Sequence, residues 1–241
     1  MNTERTYKTK KSLQDFIRAM ITFTLLCLVS SLSYAQWLGA DYATYGVPQV
    51  NYAANSFLNF SVLNNANSEA AAAKISTLAP PTGSSTVAAD LAALYTAADR
   101  AQLTKVFTES LTNFEKVINR LELPRDDVAA ALAAFLVGNY IAMHNEALPP
   151  DEQFIALTKQ LRASLASSPN FAQSSPSQKR QAYEQLAMMG MFMTTAHMAL
   201  VQTPNPKAET HFRNHAKANL EQLIKRPADQ LQIKNGQISF R

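Results

Sequence analysis

From Val87 onward the apolar side chains recur at steps of three and four, the spacing that lines one face of an α-helix. In "TVAADLAALYTAADRAQLTKVFTESLTNFEKVINRLEL" (86–123) they fall at Leu91, Leu94, Tyr95, Leu103, Val106, Phe107, Leu111, Phe114, Val117, Ile118 and Leu121. This predicts an amphipathic helix, or a helix pair broken near Ala98–Ala101. Pro124 stops it, because proline has no N–H to give to the helical ladder.

The pattern continues in "RDDVAAALAAFLVGNYIAMHN" (125–145) and in "PPDEQFIALTKQLRASLASS" (149–168), where Phe154, Leu157, Leu161 and Leu165 form a stripe. It goes on through "SSPSQKRQAYEQLAMMGMFMTTAHMALVQT" (174–203) and "NPKAETHFRNHAKANLEQLIKRPA" (205–228), set apart by Pro204 and Pro206 and closed by Pro227. Two stretches, Val128–Met143 and Leu186–Val201, are apolar on every side, which predicts helices buried on every side. Each carries a mid-helix glycine, Gly138 and Gly190, at a cost of about 1 kcal/mol relative to alanine. A close crossing of the two backbones offsets that cost. These helices are therefore placed at the centre.

The period changes at the C-terminus. In "LQIKNGQISF" (231–240), Leu231 and Ile233 alternate, Asn235-Gly236 suits a type I′ turn, and Ile238 and Phe240 alternate again. At the other side, "QWLGADYATYGVPQVNYAANSFLNFSVLNN" (36–65) has no sustained period. It reads as an irregular arm carrying Trp37, Tyr42, Tyr45 and Tyr52, with one helical turn around 53–63. A short helix at 67–79 and the linker "PPTGSST" (80–86) follow. The expectation is an all-α fold: a single helical bundle of five to six helices (87–241), with an irregular N-terminal arm (36–86) and a short C-terminal β-hairpin or extended tail.

Residues 1–35 have a different character. Arg5, Lys8, Lys10, Lys11 and Arg18 precede the uncharged run "AMITFTLLCLVSSL" (19–32), and "SYA" places small residues at Ser33 and Ala35. This is the layout of a signal peptide cut between Ala35 and Gln36. The 14-residue run is shorter than the roughly 20 residues of a membrane span, so no span is expected after cleavage. The "TLL" before Cys27 does not suit a lipoprotein signal. The destination is the periplasm or the exterior.

Cleavage alters the charge. The whole chain has 22 basic and 18 acidic residues, but five and two of them lie in 1–35. The remaining 17 and 16 leave a net charge of about +1 and no basic face, so nucleic acid is not an expected partner. Cys27 is the only cysteine, so disulfides, thiolate metal sites and cysteine nucleophiles are not expected in the mature chain.

Few residues suggest chemistry. Asp126 and Asp127 stand at the start of a helix, where carboxylates cap free amides and meet the positive end of the dipole. In "HFRNH", His211 and His215 are one helical turn apart, the spacing of many zinc sites. They lie roughly 130° and 90° from the middle of the Phe212, Ala216, Leu220, Leu223, Ile224 stripe, so a solvated pair is favoured over a metal site. Met189, Met193 and His197 are spaced i, i+4, i+8, a donor set that suits Cu(I). They share a stripe with Ala182, Leu186, Ala196 and Leu200, however, and methionine there is core filler. His144 and Glu184 are lone polar residues with no partner evident from sequence. The G-x-S-x-G, GxxxxGK, GxGxxG and HExxH patterns are all missing, and six glycines leave little for phosphate-binding loops. Catalysis and cofactors are not expected.

At "RDDVAAALAAFLVGNYIA" and "QKRQAYEQLAMMGMFM" the chain resembles a family of exported bacterial proteins of unknown function with an Ala-rich helical domain. The resemblance covers most of 40–240 and implies bacterial origin and export; it brings no activity and no site residues. Two functions are carried forward. One is a non-catalytic module that binds a protein or envelope partner. The other is a periplasmic protein binding copper, zinc or a small ligand.

Overall fold

The computed structural model describes residues 50, 52–64, 75–81 and 83–241. A 3-10 turn at Ala53–Ser56 leads to α1 (Phe60–Asn64). The bundle follows: α2 (Val87–Ala93), α3 (Arg100–Arg120), α4 (Val128–His144), α5 (Asp151–Ala166), the short α6 (Pro169–Gln173), α7 (Pro176–Gln202) and α8 (Pro206–Ile224). A second 3-10 turn, Ala228–Gln230, precedes β1 (Leu231–Lys234) and β2 (Gln237–Phe240). The fold is all-α with a C-terminal hairpin. Of the two readings of 86–123 the broken pair holds, but the break lies at Leu94–Asp99, earlier than the expected Ala98–Ala101.

Local chemistry sets the helix ends. Ser175 accepts from the Gln178 amide while Gln178 reaches back to the Ser175 N–H, and Pro176 occupies the first turn of α7. Asn205 caps α8 through the Ala208 amide, with Pro206 behind it. Helix α4 starts at Asp127, whose carboxylate accepts from the Ala129 amide, and ends on Asn145 in the left-handed region.

Helix α4 is the axis of the bundle. Every residue from Val128 to Met143 is buried, and α7, α8 and α5 all pack on it. Its most extensive contact is with α7, and the two glycines meet there. A Cβ on Gly190 would lie 2.5 Å from the Ala134 carbonyl carbon and the Phe135 nitrogen. A Cβ on Gly138 would meet the Gly190 carbonyl oxygen and lie 2.8 Å from Thr194 Oγ1. The crossing expected from the sequence is present, and it is backbone on backbone.

Segment 52–64 belongs to the same core. Tyr52, Phe57, Leu58 and Leu63 are buried. Tyr52 stands edge-on to Phe135 of α4 at 5.0 Å, and Phe57 stands edge-on to Phe171 of α6 at 5.1 Å. Polar contacts fix its path: the Ala53 amide donates to Gln185 Oε1 at 2.8 Å, and Ser164 and Gln222 donate to the Val62 and Val50 carbonyls. Trp37, Tyr42 and Tyr45 lie outside the described residues.

Two expectations are corrected. Residues 75–79 are not helical: Leu78 makes an antiparallel bridge with Asp127, through Ala79 N–H to the Asp126 carbonyl and Val128 N–H to the Thr77 carbonyl. The remainder of the proposed 67–79 helix, residues 67–74, lies outside the described residues. The α6 turn was also missed, being five residues opened by Ser168 and Pro169.

The hairpin pairs Leu231 with Phe240 and Lys234 with Gln237, and both Asn235 and Gly236 have positive φ. The outer edge of β2 faces α5. Ile238 N–H donates to Gln160 Oε1 at 2.9 Å and Gln160 Nε2 donates back to the Ile238 carbonyl, so one side-chain amide stands in for a third strand.

Candidate functional site

The densest polar chemistry is at the N-terminus of α4. Asp126 has φ +58°, a conformation that aspartate tolerates better than most residues. The two neighbouring carboxylates go to different helices. Asp126 Oδ1 takes Arg180 Nη1 of α7 at 2.5 Å, while Asp127 Oδ2 takes Arg162 of α5 at 2.9 Å (Nε) and 2.5 Å (Nη2). Asp127 Oδ1 accepts from Thr77 Oγ1 at 2.7 Å and from the Ala129 amide at 3.0 Å. Asp127 therefore caps as expected, whereas Asp126 is an ion-pair residue outside the helix.

Arg180 continues the network. Its Nε donates to Glu184 Oε1 at 2.7 Å, and the Ser85 hydroxyl donates to Glu184 Oε2. Burial pulls the Arg180 pKa down, but hydrogen bonds to Asp126 and Glu184 outweigh it and the net direction is up. Glu184 is thus no lone polar residue. Both oxygens of each buried carboxylate accept from the protein itself. The arrangement ties the 77–85 segment, α4, α5 and α7 together.

A second polar chain runs through the core. Tyr52 donates to Asn219 Oδ1 at 3.3 Å, Asn219 Nδ2 to Asn139 Oδ1 at 3.0 Å, and Asn139 Nδ2 to the Phe135 carbonyl at 2.8 Å. Burial first, and then the charge interaction with Tyr95, pushes the Tyr52 hydroxyl well above the usual tyrosine range. It works here as a neutral donor linking segment 52–64 to α8 and α4.

The methionine and histidine candidates fall into place around these networks. Met189 and Met193 are wholly buried, and His197 is nearly so, with Nε2 2.9 Å from the Glu146 carbonyl. All three lie in the packed part of α7. His144 is exposed and leans on the Tyr140 ring, 4.4 Å between centroids. Among the described residues, no group of three or more His, Cys, Asp or Glu is placed to hold a metal ion. Ala35 and Gln36 lie outside the described residues.

His211 is exposed, as the helical angles predict, but His215 is half-buried. Desolvation, and secondarily the neighbouring His211, lowers its pKa below the usual histidine value. A depressed histidine pKa means that the unfolded chain binds the proton more readily. Its contribution to stability is therefore full above the unfolded value of about 6.5 and is lost as the pH falls below it. Thermal unfolding followed from about pH 7.5 to about pH 5 is expected to show a falling midpoint. His215→Gln is expected to flatten that slope, and identical slopes would show that His215 adds nothing.

Sequence reasoning missed Arg162, Asn139 and Asn219. The pairing of Arg180 with Glu184 is an i,i+4 pair and was open to sequence. An asparagine inside the otherwise apolar α4 was also a signal. The partners of Asp126 and Asp127 were not legible, because they lie 54 and 35 residues away.

The chain belongs to the family of unknown function DUF6683, whose model matches residues 18–241. No curated protein and no solved structure matches it.

Proposed function

We propose that the chain is exported from a bacterial cytoplasm and, once cut between Ala35 and Gln36, acts as a non-catalytic helical module binding a protein or envelope partner. The observation that carries this reading is how the chemistry-bearing side chains are used. Asp127 pairs with Arg162 and Asp126 with Arg180 across elements, Glu184 holds Arg180 within α7, and large apolar side chains face outward elsewhere. Leu148 and Val201 are more than half exposed, and Met198, three residues before Val201, is exposed as well. Their neighbourhoods are joined by the contact of His197 with the Glu146 carbonyl. Leu148, Met198 and Val201 are the side chains this reading offers to the partner.

The export half is supported by the basic, apolar and small-residue order of 1–35. Among the described residues no helix is long and apolar enough to cross a membrane.

Cell fractionation with N-terminal sequencing tests export. Protein outside the cytoplasm is expected to begin at Gln36, and Leu26→Arg in the apolar run is expected to hold it inside. Cytoplasmic material with Met1 intact would end the reading. For the binding half, the paired change Leu148→Ser and Val201→Ser is expected to abolish cross-linking to an envelope component without moving the thermal midpoint. Unchanged cross-linking would remove these side chains from the interface.

A further inference from the structure

The stretch "MMGMFMTTAHM" is split by the fold. Met188, Met189 and Met193 are 2%, 0% and 0% exposed, and Met143 of α4 is 7% exposed. Met191 is partly buried and packed against the core. Met198 stands apart at 37% exposed. It lies between His197, anchored through the Glu146 carbonyl, and the outward-facing Val201 three residues on. α7 is thus held at this level with one methionine side chain partly exposed to solvent.

We infer that Met198 is, among the described methionines, the oxidant-reactive site, with peroxide as the oxidant. Thioether oxidation needs the oxidant to reach sulfur, and exposure therefore orders the methionines. With hydrogen peroxide, one oxygen atom passes to the Met198 sulfur. The peroxide O–O bond breaks, an S–O bond forms, sulfur gives up two electrons and the second peroxide oxygen leaves as water. The product is methionine sulfoxide. The same reaction at Met189 or Met193 puts a polar group into the α4–α7 core and opens it. At Met198 it leaves the core intact and turns an apolar edge polar, so the fold survives an oxidant that alters this face.

The experiment exposes the full-length protein to dilute hydrogen peroxide and follows each methionine by peptide mass mapping. Met198 is expected to form sulfoxide on the order of ten times faster than Met189 and Met193, and ahead of Met191. The protein oxidised at Met198 alone is expected to keep its thermal midpoint, and Met198→Leu is expected to remove the fast phase from the peptides spanning residues 143–198 while their slow phases remain. The inference is overturned if Met191 or a core methionine reacts before Met198, if the methionines of residues 143–198 all react together, or if Met198→Leu leaves a fast phase in the peptides spanning those residues.

Discussion

Gly190→Ala is expected to destabilise the protein by about 3 kcal/mol or more, although it adds a single methyl group. The usual rule runs the other way: alanine in a helix interior is favoured over glycine by about 1 kcal/mol. Here the added Cβ would sit 2.5 Å from two backbone atoms of α4, where only ordinary contact distances are sustainable. Backbone cannot swing aside as a side chain can, so α4 and α7 must separate along their most extensive contact. For a domain of about 200 residues the loss corresponds to roughly 6–12 °C in thermal midpoint. Gly83→Ala is the control, because nothing lies within 4 Å of its would-be Cβ. Urea unfolding of both variants decides the matter. A Gly190→Ala protein within about 1 kcal/mol of the parent would show that the two helices have room to part.

That crossing was legible because two independent signals met: a helix apolar on every side, and a costly glycine in its middle. The helix ends and the hairpin were legible for a similar reason. Proline, a capping Asp or Asn, and Asn235-Gly236 act on bonds only a few residues away. What escaped is what depends on distance along the chain. Tyr52 reads as one more aromatic in an irregular arm, yet its partner Asn219 lies 167 residues on. Asp126 and Asp127 read as a doubled cap; nothing local separates them. Only the left-handed turn at Asp126 and the arrival of two arginines on different helices give them separate roles. The histidine pair was read by helical angle alone. The angle gives direction on α8 but not the depth of His215.

Breaking the Asp127–Arg162 pair is the other change with a large expected effect. The Asp127 side chain is fully buried and its arginine is one-third exposed. Isolated surface pairs contribute under about 1 kcal/mol, but a buried charge deprived of its partner typically costs 3–5 kcal/mol. Partial solvent access at Arg162 puts this pair toward the lower end. Asp127→Ala removes the acceptor for Arg162, the acceptor for the buried Thr77 hydroxyl and the cap on Ala129, and is expected to cost about 3 kcal/mol. Asp127→Asn keeps an oxygen for the cap and for Thr77 but turns its amide toward the guanidinium, so its cost should be smaller. Arg162→Ala leaves a buried carboxylate with only Thr77 and the Ala129 amide, and is expected to cost about 2 kcal/mol. Because each single change strands what the other would remove, the double variant Asp127→Ala/Arg162→Ala should fall short of the sum by at least about 1 kcal/mol. Strict additivity in urea unfolding would mean that the two side chains are neighbours without being partners, and that the cap and the Thr77 bond alone make Asp127 matter.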